Sequence, residues 1–170
     1  MAEITPPRPL AETDDRDAFD CGRASMNQWF RRHAWANHAA GLSRANVICE
    51  AATGAIVGYV TLSAGQIERD ALPRRLQRNT PDPVPATLLG QLAVHVAHHG
   101  RGYARSLLYF ALRTALRASA DVGSLGVFTH PLDDAARAFY ARWGFVELPS
   151  DPRRAMIVRM VDLERAGLGL

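Results

Sequence analysis

The chain of 170 residues contains no lysine, because all 20 of its basic residues are arginine. It therefore has no lysine nucleophile, no lysine for a Schiff base and no lysine side chain to modify. It also lacks any run of 18 apolar residues, so we expect no membrane-spanning helix and no membrane partner. The first 15 residues are polar and acidic, which argues against a secretory signal peptide.

Cysteine is scarce as well. The two cysteines, Cys21 and Cys49, do not have the spacing of metal ligands. We therefore expect thiols that are buried or free in a reducing, cytoplasmic environment, and no metal site. The length predicts one domain, residues 1–170, with a substantial core.

The net charge of +3 is modest, but the arginines are grouped. The arginine fork binds phosphate oxygens well, although most surface charges are only solvated. Two groups remain candidates for contacts with a nucleic-acid backbone: Arg31, Arg32 and Arg44, and Arg74, Arg75 and Arg78.

Helical and alternating patterns of apolar residues predict an α/β or α+β domain. Ser25 and Gln28 have the spacing of a capping box at the start of the first helix. Helices are predicted at 25–39, 70–77, 102–119 and 132–142, a hairpin at 47–51 and 56–63, and strands from Leu88 after a proline-rich loop and at 124–129, 145–148 and 156–161.

A basic turn with two glycines joins the apolar run 88–96 to the helix that follows it. Unpaired amides at a helix N-terminus and glycines that allow close approach make such a joint a candidate phosphate cradle. The absence of lysine after Gly100 and Gly102 excludes a P-loop. A dinucleotide fingerprint needs a third glycine three residues after Gly102, and the sequence has Arg105 there. The spacing points to a different pyrophosphate ligand.

Residues 99–104 resemble the [Q/R]-x-x-G-x-[G/A] acetyl-CoA loop of the GNAT acetyltransferases, with His99 in the place of glutamine or arginine. The resemblance implies the GNAT fold, a mixed central sheet flanked by helices, with acetyl-CoA as co-substrate. It also implies that Phe139 contacts the co-substrate, although its position in a helix alone favours core packing. The full implied set is Leu92, Ala93, Val94, His99, Gly100, Arg101, Gly102, Tyr103, Ala104, Arg105 and Phe139.

The segment 139–145, FYARWGF, matches a second pattern of GNAT enzymes. The resemblance implies that Tyr140 protonates the departing CoA thiolate, which suits a phenol with a reference pKa near 10. No carboxylate in either motif stands out as a base. That absence favours an α-amine acceptor, because about a fifth of α-amines but well under ~0.1% of lysines are neutral at pH 7.

The segments FDCGRASMNQWFRRHA and GYVTLSAGQI extend the resemblance to GNAT toxins of bacterial toxin–antitoxin systems. It implies acetylation of the α-amine of aminoacyl-tRNA, which inhibits translation. It further implies a ribbon-helix-helix antitoxin and a homodimer. Gln91 and His95 depart from the arginine and aspartate that such toxins often carry, which leaves acceptor choice open.

Two other functions remain open from the residues alone. One is an ordinary GNAT enzyme that acetylates a small amine or a protein N-terminus and does not need the arginine groups. The other is a degenerate module that binds acyl-CoA without turnover. The intact glycine turn and Tyr140 count against this second possibility.

Overall fold

The computed structural model describes residues 2–169, and within this range seven strands form one mixed sheet. The strands lie in the order β1-β2-β3-β4-β5-β7-β6. Strands β4 and β5 are parallel, whereas β1–β2, β2–β3, β5–β7 and β6–β7 are antiparallel. The strands are β1 (Arg8–Pro9), β2 (Arg44–Cys49), β3 (Ile56–Ile67), β4 (Val84–Val94), β5 (Gly126–Thr129), β6 (Val146–Glu147) and β7 (Met156–Arg159).

Helices alternate with these strands, and the predicted mixed α/β architecture is confirmed. A π-helical segment, Phe30–Ala34, joins the first two helices, and 3-10 turns span Arg69–Ala71 and Val96–His98. None of the described helices is long and apolar enough to cross a membrane. The α-helices are α1 (Ala24–Trp29), α2 (Trp35–Ala39), α3 (Arg74–Gln77), α4 (Tyr103–Ala118), α5 (Asp134–Ala141) and α6 (Met160–Arg165).

The chain folds into two compact units. The first unit contains residues 2–63 with Gly90–Ala111, and the second unit contains Ala64–Leu89 with residues 112–169. Strands β3 and β4 therefore contribute residues to both. Each unit has its own apolar core, so each is described separately below.

Aromatic rings form the centre of the first unit. The ring of Tyr59 on β3 stacks on Phe30 with centroids 4.0 Å apart, and Phe19 packs edge-on against Tyr59 at 5.4 Å. The Tyr59 hydroxyl donates a hydrogen bond to the Met26 carbonyl, 3.4 Å away. This bond satisfies the polar end of a ring that is otherwise fully buried.

The start of the first helix differs from the prediction. The helix begins at Ala24 with Arg23 as N-cap, so Ser25 lies inside it and does not cap it. Asp20 and Asn27 hold this entry instead: the Asp20 carboxylate accepts from the Gly22 amide and the Asn27 amide group, both at 2.8 Å. Asn27 in turn accepts from the Cys21 amide at 2.9 Å. These longer-range bonds displace the local capping box.

In the second unit, β7 lies between two partners and carries the centre of the core. Ile157 on β7 is fully buried and pairs with Phe128 on β5 and with Val146 on β6. Leu148 and Ala155, which flank the turn between β6 and β7, are 2% exposed. The Leu148 amide donates to the Ala155 carbonyl at 2.9 Å and closes this turn.

Three predicted boundaries in the second unit are wrong. Pro73 separates a 3-10 turn from α3, so residues 70–77 do not form one helix. Strand β4 begins at Val84, within the predicted loop, because the Pro85 carbonyl accepts from the Leu125 amide at 2.8 Å. Strand β7 ends at Arg159, where α6 begins with an ion pair between Arg159 and Asp162 at 3.0 Å.

Gly58 allows close packing in the first unit. An added Cβ at this position would lie 2.9 Å from the Leu107 side chain and 3.0 Å from the Ala93 carbonyl oxygen. The Ala93 oxygen belongs to the backbone of β4 and cannot turn aside. Residue 58 must therefore be glycine for β3 and the end of β4 to keep this separation.

We expect Gly58→Ala to lower the free energy of unfolding by about 1–3 kcal/mol, since β4 must move to make room for the methyl group. Chemical denaturation measures the change. Gly123→Ala is the control, because an added Cβ there meets nothing within 4 Å, and it should shift stability by no more than about 0.5 kcal/mol. Equal stability of the two variants would contradict the close approach.

Candidate active site

The turn between β4 and α4 has the geometry of an anion cradle. Gly100 and Gly102 have φ angles of +76° and +84°, which glycine adopts without strain. An added Cβ on either would meet nothing within 4 Å, so the space beside both glycines is open. Helix α4 starts at Tyr103, and its first amides have no acceptor inside the helix. Open amides at the positive end of a 16-residue helix suit a pyrophosphate.

His99, the departure from the GNAT loop pattern, is bound to the chain itself. Its Nε2 lies 2.7 Å from the Val94 carbonyl oxygen. Because a carbonyl only accepts, Nε2 carries the proton and donates it. The histidine thereby closes the loop onto the end of β4, and only Nδ1 of its ring is left for another partner.

Arg101 is oriented by a second histidine. Its guanidinium lies 3.3 Å from Nδ1 of His98, and Nε2 of His98 lies 3.2 Å from a Glu50 carboxylate oxygen. Arginine has only donors, so Nδ1 of His98 accepts and its Nε2 carries the proton toward Glu50. These two contacts orient the guanidinium of Arg101 next to the glycine turn, where it can form a charge-assisted hydrogen bond with a phosphate. Arg105 is exposed in the first turn of α4.

The end of β4 is anchored to β3 on both sides of Leu92–Val94. The Gln91 amide donates to the Thr61 hydroxyl at 2.9 Å, and the His95 amide donates to the Val57 carbonyl at 2.8 Å. The Thr61 hydroxyl thus accepts the hydrogen bond that a backbone carbonyl of β3 would otherwise accept from the Gln91 amide. These bonds fix the backbone that the GNAT pattern assigns to the thioester.

Tyr140 lies on α5 in the second unit and is 6% exposed. Asp133 caps this helix by accepting from the Ala136 amide at 2.8 Å. The rings of Phe139 and Phe145 each lie 5.2 Å from that of Tyr140. Phe139 is half-buried, so this ring contact is its observed environment.

The Tyr140 hydroxyl is bonded to Thr129 at the end of β5. The Thr129 hydroxyl donates to the Leu89 carbonyl at 2.9 Å, and the Thr129 side chain lies beside the Tyr140 hydroxyl. Burial raises the pKa of Tyr140 to about 12, and the Thr129 hydrogen bond partly opposes the rise. The phenol therefore stays protonated at neutral pH and can act as a donor. No motif in the sequence points to Thr129, although a polar residue at the end of a strand is a usable signal.

A cavity of about 570 Å³ also lies within the second unit. Its floor is apolar and includes Phe128 and Leu148, and its rim carries charged side chains from two loops. His130, the residue after β5, lines it and packs edge-on against Phe128 at 5.9 Å. No sequence motif pointed to this cavity, because its walls come from segments far apart in the chain.

The candidate tRNA contacts are all exposed. Arg31, Arg32 and Arg44 belong to the first unit, where Arg44 donates to the His38 carbonyl at 3.1 Å. The other group, Arg74, Arg75 and Arg78, lies on and beside α3 in the second unit. Cys21 and Cys49 are buried free thiols, and residues 2–169 contain no group of histidine, cysteine and acidic side chains able to hold a metal ion.

Comparison with known proteins gives consistent matches. The model of the acetyltransferase (GNAT) family matches residues 10–145. The tRNA-acetylating toxin of Mycobacterium tuberculosis is 37% identical over 158 residues, which cover 93% of this chain and 94% of that protein.

Two solved structures are also similar. AtaT complexed with acetyl-methionyl-tRNAfMet superposes with a TM-score of 0.88 at 28% identity, covering 96% of this chain and 99% of that chain. A tyrosine-to-phenylalanine mutant of the AtaT toxin, bound to acetyl-CoA and the C-terminus of the antitoxin AtaR, superposes with a TM-score of 0.79 at 26% identity. That match covers 96% of this chain and 97% of that chain.

The buried tyrosines predict a loss of stability at high pH. An unfolded phenol ionises near pH 10, whereas burial raises the pKa values of Tyr59 and Tyr140 in the folded protein. The stabilisation is complete below about pH 10 and is lost as the pH rises toward 12. The free energy of unfolding of the wild type should therefore fall between about pH 9 and 11.5. In Tyr140→Phe this fall should be smaller by up to about 2 kcal/mol.

Denaturation at a series of pH values measures this difference. Tyr109→Phe is the matched control, because the Tyr109 side chain is 43% exposed, and it should keep the full alkaline loss. Identical alkaline curves for wild type and Tyr140→Phe would contradict the buried, protonated state of Tyr140.

Proposed function

We propose a function for this chain, which belongs to the acetyltransferase (GNAT) family. It transfers acetyl from acetyl-CoA to the α-amine of aminoacyl-tRNA and so inhibits translation. The chain is an acetyl-CoA-dependent N-acetyltransferase. The observation that carries the choice of acceptor is the 37% identity, over 93% of the chain, to a tRNA-acetylating toxin. The similarity to AtaT complexed with acetyl-methionyl-tRNAfMet supports the same acceptor.

The glycine turn holds the pyrophosphate of acetyl-CoA in this proposal. Amides from His99 to Ala104, with Arg101 and Arg105, bind the phosphate oxygens by the helix-terminus and charge-assisted contacts described above. Backbone amides of Leu92–Val94 bind the thioester carbonyl and stabilise the negative charge that develops on its oxygen. Phe139 contacts the apolar arm of the co-substrate.

Tyr140 protonates the departing CoA thiolate. A thiol has a reference pKa near 8.5, so its thiolate takes a proton from a phenol only through a short, directed hydrogen bond. Thr129 lies beside the Tyr140 hydroxyl, and burial keeps that hydroxyl protonated before the reaction. The acceptor amine bonds to the carbonyl carbon, the carbon–sulfur bond breaks, and the sulfur takes the tyrosine proton.

The exposed arginine groups bind the tRNA backbone. Each group lies on a surface where its forks can reach phosphate oxygens. An ordinary GNAT enzyme for a small amine would not need them, so their contribution separates the two functions.

The protein acts in this proposal as a cytoplasmic homodimeric toxin that a ribbon-helix-helix antitoxin neutralises. The AtaT mutant bound to the C-terminus of the antitoxin AtaR supports an antitoxin partner. Growth arrest on expression, relieved by co-expression of a neighbouring small gene product, tests this pairing.

Tyr140→Phe should lower the rate of acetyl transfer by about 10²-fold or more, since general acid catalysis contributes at least that much. The assay measures labelled acetyl incorporated into bulk aminoacyl-tRNA, with calorimetry for acetyl-CoA binding. Binding should remain, because the proposal assigns the pyrophosphate to the glycine turn and gives the phenol a role only in proton transfer. Full activity of the variant would refute the role of Tyr140.

The same assay, offered small amines and peptides, tests the acceptor. Wild-type protein that acetylates these faster than aminoacyl-tRNA would support the ordinary GNAT enzyme instead. Absence of acetyl-CoA binding in the wild type would support the degenerate module.

Replacing Arg74, Arg75 and Arg78 together by glutamine should weaken tRNA binding and flatten its dependence on salt. Each lost phosphate contact lowers the slope of log affinity against log salt concentration by about 0.7 to 0.9. Filter binding between about 50 and 200 mM salt measures the slope. Arg165→Gln, at an arginine with a 74% exposed side chain, is the control and should leave the slope unchanged. An unchanged slope in the triple variant would remove this group from the tRNA contacts.

A further inference from the structure

We propose that the cavity of the second unit receives the aminoacyl end of the acceptor and that His130 accepts the proton which the α-amine releases as it attacks the thioester. This inference rests on the function proposed above and adds the missing base. It concerns residues outside the two GNAT motifs, and every wall of the cavity belongs to the second unit.

The cavity has the size and lining of a small-molecule site. Its volume of about 570 Å³ lies inside the usual range of roughly 300 to 1,000 Å³ for ligand pockets. Ile67, Phe128, Leu148 and Ala155 form an apolar floor, and all four are less than 9% exposed. Such a floor suits the side chain of an amino acid.

The rim of the cavity is acidic on balance. Glu68 and Asp70 line it from the segment after β3, and Asp151 and Arg153 line it from the turn between β6 and β7. Three carboxylates against one guanidinium attract a cationic amine and repel phosphate. The rim therefore favours the amino end of the acceptor over the tRNA backbone.

Gly65 on β3 allows the strand to pack closely against the Phe128 ring, and both residues line the cavity. An added Cβ there would lie 2.9 Å from the Phe128 ring, so β3 passes close behind that ring only because residue 65 is glycine. Phe128 in turn packs against His130 at 5.9 Å. The histidine is thus placed by two elements of the sheet rather than by a flexible loop alone.

His130 can accept a proton at neutral pH. Burial lowers its pKa below the ordinary value of 6.5, and the charge of Arg153 lowers it further, whereas Asp151 opposes the change. The other charged groups on the cavity, Glu68 and Asp70, stand on the exposed rim. A neutral imidazole lining a cavity that attracts amines has the properties of a general base.

The neutral α-amine forms a bond to the carbonyl carbon, the carbonyl π electrons move to oxygen, and the nitrogen becomes cationic. His130 takes one proton from that nitrogen. The carbonyl then re-forms, the carbon–sulfur bond breaks, and Tyr140 gives its proton to the sulfur. Solvent returns the proton from His130 to Tyr140, so the products are an amide and a thiol.

The test is single-turnover acetyl transfer to bulk aminoacyl-tRNA, followed by a pH series with the acceptor that reacts fastest. His130→Gln should be about 10²-fold slower near pH 8. The gap should shrink as the pH falls through the lowered pKa of His130, because the wild type then loses both the neutral amine and the neutral imidazole, whereas the variant loses only the amine. His33→Gln, at an exposed histidine of the first unit, is the matched control and should follow the wild type.

Chemical rescue distinguishes a base from a structural residue. His130→Ala leaves room in the cavity for a free imidazole molecule. Added imidazole should raise the rate of this variant at least about tenfold, in proportion to the concentration of neutral imidazole. A loss in His130→Gln that is the same at every pH, or a His130→Ala variant that imidazole does not rescue, would overturn the proposal. Wild-type protein inactive toward every aminoacyl-tRNA would instead refute the proposed function.

Discussion

The close backbone contact between β3 and β4 at Gly58 is the constraint on which the first unit depends. With no side chain at residue 58, the Ala93 carbonyl lies against β3, and the His95 amide bonds to Val57 at 2.8 Å. The end of β4 is then fixed, and His99 closes the glycine turn onto it through the Val94 carbonyl. The first amides of α4 and Arg101 are held in place as a result. An anion site made of backbone needs such support, because its donors cannot adjust one by one.

A buried hydroxyl chain has a comparable role in the second unit. The phenol of Tyr140 would be costly to bury without a partner, and Thr129 supplies one while its own hydroxyl donates a hydrogen bond to the Leu89 carbonyl. The next residue, His130, lines the cavity, so the end of β5 carries both a positioning group and the proposed base. The chain has no lysine, and no lysine side chain of its own competes with the acceptor amine for acetyl groups.

Periodicity predicted the elements that form by local contacts. The hairpin of β2 and β3, α4 and α5 all lie within a few residues of their predicted bounds, because apolar spacing and the glycine and aspartate at their ends act within single turns. The predictions that were wrong involve distant partners. Asp20 and Asn27 replaced the capping box at Ser25, and pairing with Leu125 extended β4 across Pro85. Strand β1 and helix α6 were missed, because two residues and six residues carry too little pattern to identify them.

The sequence by itself determined the chemistry that a single segment can carry. The glycine turn and the FYARWGF segment resemble the motifs of acetyl-CoA enzymes, because each lies within a few consecutive residues and the spacing sets the backbone path. Only the tertiary structure decided which protons these groups hold and where they point. Glu50 and Arg101 set the tautomer of His98, the Leu89 carbonyl orients the Thr129 hydroxyl, and burial keeps Tyr140 protonated. The cavity combines loops more than 60 residues apart. Hydrogen bonds and burial depend on partners distant in the chain, and only folding brings those partners together.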